Sequence, residues 1–210
     1  PTEHPLEFAG YDFQVTGSAA SRMPAALAQA CDAAGVDGTT VTRITQAATA
    51  ASKFEPYTGW GRESLKATVA AFAEARGALG KTEELDESER AFWQRYLASL
   101  EAYGRSLTDP PADSAPLHES FNARDTVGGE TLAWMANEYF EGRKMIVWLA
   151  SMHALRDHPK LSPPPGVSYK KVVSAGHTLC ESIGDDAYVV AFCAAEGRAG
   201  LPWGRPWDIG

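Results

Sequence analysis

Apolar residues return every three or four positions between about residues 18 and 105, a spacing that predicts consecutive amphipathic helices. "SAASRMPAALAQACDAAG" reads as a helix that Ser18 or Ser21 caps and Gly35 closes. "TTVTRITQAATAASKF" is the second and stops before Pro56, since a proline disfavours helix in the residue before it. "RESLKATVAAFAEARGALG" is the third, with Leu65, Val69, Phe72 and Ala73 on one face and Gly80 at its end. In "TEELDESERAFWQRYLASLEAYG", Phe92, Tyr96 and Leu100 share a face. Thr82 offers one cap for this helix, and Asp86 with Glu89 has the spacing of a capping box for a later start. A longer helical segment follows from about Glu119 to Phe140, interrupted by Gly128-Gly129, which costs about 1 kcal/mol per glycine relative to alanine.

Elsewhere the period changes. Met145 to Leu149 form an apolar run rich in β-branched and aromatic types, as expected of a strand buried on both faces. "DAYVVAFC" reads as a second such strand, and Leu6 to Phe13 as a short first one. "KKVVSAGHTLCESIG" between the two buried strands is a helix closed at Gly184, and the tail after Cys193 has no clear period. The order of elements predicts an α/β fold with a mostly parallel sheet, flanking helices and a helical insertion over residues 18–105. Three strands are few for a sheet, so residues 1–210 are expected to be one incomplete α/β domain, the central piece of a longer protein.

Composition changes this picture little. Hydrophobic residues make up 44% and charged residues 22%, values of a folded globular chain. The net charge of −8 disfavours nucleic acid and anionic membranes as partners. There is neither a membrane-length apolar run nor a secretory leader pattern, so a cytoplasmic location is expected. Cys31, Cys180 and Cys193 fit no zinc or disulfide pattern and read as buried inert thiols.

Candidate chemistry collects in two stretches. The run Met145–Leu149 leads through Ala150, Ser151 and Met152 to His153. An imidazole just past the carboxyl end of a strand serves as acid, base or oxyanion donor, or simply bonds a loop backbone group. Arg124 lacks an acid four residues before it; it either enters the cleft to stabilise negative charge or forms a surface ion pair. Asp125 is placed to orient Arg124 or a histidine, and Asp12, at a strand end, either bonds a catalytic group or caps a turn. His177 is assigned a packing or surface role in mid-helix, and His4, His118 and His158 are assigned to solvated loops. The absence of G-x-S-x-G argues against a serine elbow, and no HExxH, dinucleotide or Walker motif is present. No cofactor and no metal are expected.

"NARDTVGGETLAWMANEYFEGRKMIVWLASMHA" resembles the segment of erythromycin-esterase-like proteins that runs N-x-R-D-x-x-M-A-E-N-x-x-W and, after a gap, K-V-V-V-W-A-H-N-x-H. Asn122, Arg124, Asp125, Glu130, Trp134, Lys144, Trp148 and His153 fall in step. "GYDFQ" resembles that family's G-F-D-x-Q, and "GHTLCESIGDDAYVVAF" its G-x-x-L-x-x-x-x-G-D-x-x-Y-x-x-G-F, with Ala191 for the last glycine. The resemblance implies a hydrolase that opens an ester or lactone by water attack without an acyl-serine. His153, Arg124 and Glu130 would be catalytic, and Asp125, Asp12 and Trp134 would bind a small-molecule substrate. The chain departs from the pattern at Ala150, in place of the first histidine of H-N-x-H, and at Gly128, Gly129 and Thr131. The family's G-E-x-x-H-G-like block, which the resemblance makes the carrier of the general-base histidine, precedes the G-F-D strand, and His153 would cooperate with that histidine. An N-terminal remainder of the same protein is therefore the expected partner, and the 210 residues alone are expected to show no measurable esterase activity. The competing expectation is a non-catalytic binding protein that keeps the fold and cleft, favoured by Ala150 and the glycine pair. A metal-dependent hydrolase is weaker, because too few ligands are present.

Overall fold

The structure, a computed structural model, describes residues 7, 9–11, 21–52, 60–108, 118–162, 168–190, 197–199 and 207–209. Four helices come first. α1 spans Met23–Ala33; its N-cap is Arg22 with no side-chain cap, so Ser21 does not take that role, and Pro24 presets the first turn. α2 spans Gly38–Ser52, and the Asp37 carboxylate accepts from the Thr39 and Thr40 amides at 2.9 and 3.1 Å, satisfying two orphan donors of its first turn. The Thr40 hydroxyl, together with these amide bonds, holds the Asp37 carboxyl below its usual range. α3 covers Arg62–Leu79 and α4 Glu87–Thr108. Of the two starts open to α4, the later one is formed. The Glu89 amide donates to Asp86 Oδ1 at 2.8 Å and the Asp86 amide to Glu89 Oε2 at 3.3 Å, the reciprocal capping box. Thr82 instead ties the α3–α4 loop to α1 through the Ala33 carbonyl.

These four helices bury one apolar cluster, in which Leu27, Ile44, Phe72, Leu79, Leu97 and Leu100 are fully enclosed. Cys31 lies in it, and burial pushes its thiol up to about 11, the behaviour of an inert thiol. Cys180 is also buried and free, and Cys193 is outside the described residues. α4 packs on its other side against α5, His118–Trp134, whose last turn widens into a π-helical turn at Met135–Tyr139. α5 packs in turn against α7, Ala175–Ile183, and a second cluster forms around Leu132, Trp134, Met135, Ala175 and Leu179.

The expected parallel sheet is not formed. Among the described residues the strands are Gly197–Ala199 (β1) and Trp207–Ile209 (β2), which pair antiparallel in the tail that showed no period. Residues 144–150 carry no regular secondary structure and hydrogen-bond to no neighbouring strand among the described residues. The α/β expectation, and with it burial on two faces, is therefore corrected to a helical architecture. Met145, Val147 and Leu149 pack on the second cluster, whereas Ile146 is 93% and Trp148 84% exposed. The period of two is real, but a single layer of helix covers one face. Residues 187–190 likewise pair with no strand among the described residues, and Tyr188 and Val190 are exposed. Most of the Leu6–Phe13 expectation lies outside the described residues. Among those residues no helix is long and apolar enough to cross a membrane.

Candidate functional site

The run 144–150 ends in a single helical turn, α6, Ser151–Ala154, which carries His153. Three contacts from the start of α7 fix this turn. Ser174, fully buried, caps α7 by accepting from the His177 amide at 3.1 Å and donates its hydroxyl hydrogen to the Leu155 carbonyl. Gly176 faces the Ala154 carbonyl so closely that a Cβ there would lie 2.6 Å from the carbonyl carbon and closer still to the oxygen. His177 Nδ1 meets the Arg156 carbonyl at 2.8 Å, so the ring donates there. His177 therefore sits in the first turn of α7 rather than in mid-helix, and its role is to hold the chain that follows His153.

α5 supplies the partner. Asp125 is 2% exposed, and its two oxygens lie 2.7 and 2.9 Å from His153 Nδ1. Oδ2 also accepts from the Ala175 amide, the first of α7, at 3.0 Å. A carboxylate tied to a helix-start amide is favoured by the partial positive charge of that end. Its acceptors require an Nδ1–H on His153, which leaves Nε2 as the ring's basic atom. The ring is stacked on Phe121 at 5.0 Å and 4°. Close approach of α5 to α7 makes the arrangement possible. A Cβ on Gly129 would lie 2.5 Å from Thr178 Cβ and 2.8 Å from the Ala175 carbonyl oxygen, and one on Gly128 would meet the Tyr11 ring at 3.3 Å. Gly129, costly to the helix locally, is what lets these helices touch, while Gly128 makes room for Tyr11.

His153, Asp125, Arg124, Gly128, Ala175, Ser99 and Tyr11 line one cavity of about 10 Å³. That is about the room of one water. Arg124 also faces α4: burial pushes the Tyr103 phenol up, and the Arg124 guanidinium beside it pulls it partway back. Glu130 lies elsewhere. Its side chain is exposed, its carbonyl accepts from Arg95 at 3.4 Å, and its carboxylate faces that same guanidinium. Trp134 is 5% exposed in the second core, with Arg95 stacked 4.9 Å over it. Asp12 is outside the described residues, although its neighbour Tyr11 reaches the cavity. Tyr11, Ser99, Phe121 and Ala175 were not singled out by the sequence; Tyr11 lies within the GYDFQ match, and no local pattern marks the other three. Among the described residues no group of three or more His, Cys, Asp or Glu side chains is disposed to hold a metal ion.

A model of the family described as erythromycin esterase matches residues 1–209. The chain belongs to the erythromycin esterase family. No curated protein and no solved structure matches it significantly. Family membership supports a hydrolase-like function and leaves substrate and mechanism open. Of the residues that fall in step with the erythromycin esterase pattern, Asn122, Arg124, Asp125 and His153 converge on the α5–α7 contact, while Glu130 and Trp134 diverge from it.

His158 differs from its expected solvated state. It is 1% exposed, in a box between Phe121 and Tyr169, and neither ring nitrogen has a hydrogen-bond partner among the described residues. Burial pushes its pKa below the ordinary 6.5; the Asp125 carboxylate opposes this, the His153 and His177 rings reinforce it, and the Met152 backbone lies near without proper bonding geometry. A folded pKa lower than the unfolded one means that the unfolded chain binds the proton first. Stability is therefore expected to fall as pH drops through about 6.5 toward the folded pKa. His158→Leu keeps the shape and removes the proton site. Thermal melts of both proteins at pH 8 and pH 5 check this: the variant should match the native chain at pH 8 and exceed it at pH 5. Parallel pH profiles would exclude His158 as the source.

Proposed function

We propose that the chain is a hydrolase that acts on an ester bond, lactones included, by general-base attack of water. The observation that carries this reading is the Asp125–His153 pair, closed at Nδ1 by 2.7 and 2.9 Å contacts, on the same water-sized cavity as Arg124. An imidazole whose Nδ1–H is held by a carboxylate takes a proton at Nε2, and the carboxylate stabilises the imidazolium that results. The positive guanidinium on the same cavity stabilises the oxyanion that forms as water adds to the ester carbonyl. Collapse of that tetrahedral species expels the alkoxide, which the imidazolium protonates, so the ring returns to its starting state. Arg124, Asp125 and His153 are the residues we assign to this chemistry, with a small-molecule ester as partner.

The competing reading is a non-catalytic binding protein. Pockets for organic ligands measure about 300–1,000 Å³, so a cavity of about 10 Å³ holds a water but neither an ester nor any other organic ligand, and its size favours neither reading. The glycine pair has a packing role and no longer speaks for lost function. Ala150, in place of the family's first histidine, still favours the second reading.

The test is hydrolysis of a chromogenic ester and a lactone panel by the 210-residue chain and by the full gene product, side by side. His153→Gln is expected to lower turnover by roughly 10² to 10⁴-fold, the contribution of a positioned general base. No turnover of any ester by the full product, together with saturable binding of an ester analogue, would leave the binding reading in its place.

A further inference from the structure

Residues 168–173 lead into α7, and among the described residues both of their hydrogen bonds to another element go to one side chain. Asn122 Nδ2 donates to the Lys171 carbonyl at 2.7 Å, and its Oδ1 accepts from the Val173 amide at 2.8 Å. An amide side chain that donates to one backbone group and accepts from the next but one satisfies both groups where the turn closed by the Val172 amide and the Tyr169 carbonyl leads into α7. Asn122 and Asp125 are three residues apart on α5 and so share a face. One holds residues 171 and 173, the other the amide of residue 175.

We propose that Asn122 is a positioning residue for the Asp125–His153 pair, acting through the backbone that delivers the Ala175 amide to Asp125. The proposal deepens the hydrolase reading above by naming what holds its base. The Asp125 carboxylate has its two donors on two different elements, α6 and α7. It keeps one orientation only while α7 starts at a fixed point. Asn122 fixes that point before Ser174, and nothing else in residues 168–173 bonds across to α5 among the described residues. Ser174, Gly176 and Gly129 still hold α7 when the clamp is released, but the Ala175 amide loosens, the carboxylate gains freedom to turn, and part of the His153 population reverts to the Nε2–H form favoured by free imidazole.

The experiment is nuclear magnetic resonance of the whole chain with ¹⁵N-labelled histidine, the His153 ring being assigned by its loss in His153→Gln. The native protein should show one tautomer, with the proton on Nδ1 and slow exchange with water. In Asn122→Ala the Nε2–H tautomer should appear, and exchange of the Nδ1 proton should quicken about tenfold, the worth of one net hydrogen bond. Asn122→Asp keeps the acceptor for Val173 but sets a carboxylate oxygen against the Lys171 carbonyl, so a change in the same sense is expected. A single tautomer and unchanged exchange in a folded Asn122→Ala would overturn the proposal. So would loss of the helical circular-dichroism signal in both variants, which would make Asn122 a residue of the fold at large. Turnover is not part of the readout. A protein that hydrolyses nothing but shifts its His153 tautomer in Asn122→Ala would remove the hydrolase reading and leave Asn122 its role.

Discussion

Asp125→Asn is expected to abolish most hydrolysis, by roughly 10² to 10⁴-fold, while the helices stay folded. The asparagine has two ways to sit, and both fail. With its oxygen toward His153 it keeps the Nδ1–H bond but turns an NH₂ toward the Ala175 amide, donor against donor, in a buried place where Asp125 is 2% exposed. An unmatched buried donor costs about 1–3 kcal/mol, so this orientation is disfavoured. With its oxygen toward Ala175 the helix start is satisfied, but the NH₂ now donates to His153 Nδ1. The ring's proton then moves to Nε2, and the basic atom is lost. The second orientation wins, because it leaves no donors opposed. Turnover of a chromogenic ester and the ¹⁵N shifts of the His153 ring check the two halves of this claim: a slow enzyme with an Nε2–H ring is the expected pair. An Nδ1–H ring in the variant, or undiminished turnover, would show that Asp125 does not set the tautomer.

Gly176→Ala is expected to destabilise the chain by about 3 kcal/mol, at the upper end of the cost of overpacking. A flexible neighbour would give way at little cost, but this one is backbone: the added Cβ would lie 2.6 Å from the Ala154 carbonyl carbon. Relief requires α6 to move off α7, which separates His153 from Asp125 as well. Gly77→Ala provides the comparison. It lies inside α3 with nothing within 4 Å of its added Cβ, so it should gain up to about 1 kcal/mol of helix propensity. The same methyl thus carries opposite signs at two helical positions. Urea titrations of both variants measure this, with the midpoint falling for Gly176→Ala and rising for Gly77→Ala. A Gly176→Ala protein as stable as the native one would mean that the α6–α7 contact is looser than described.

The sequence by itself determined the four helices between Met23 and Thr108, because each depends on bonds and faces that repeat within four residues. The capping box of Asp86 and Glu89 was legible for the same reason, as were helix ends at Gly35 and Gly184, whose φ of 70° and 59° suits glycine. It also pointed to Arg124, Asp125 and His153 as residue types with chemistry to offer. What covers an apolar face is not written in its period. Met145–Leu149 alternates as a strand does, yet whether a second strand lies alongside depends on residues far away in the chain, and here none pairs with it among those described. Residue type and family spacing likewise put Glu130 and Trp134 with His153, but three-dimensional packing turned one to solvent and the other into the core. Tertiary structure alone decided that Gly129 lies against α7 and Gly128 against Tyr11, that His158 is enclosed, and that Asn122 reaches Lys171, 49 positions on, and Asp125 reaches His153, 28 on. Contacts at such separations are selected by the sum of the packing between α5, α6 and α7, and no window of the sequence contains that sum.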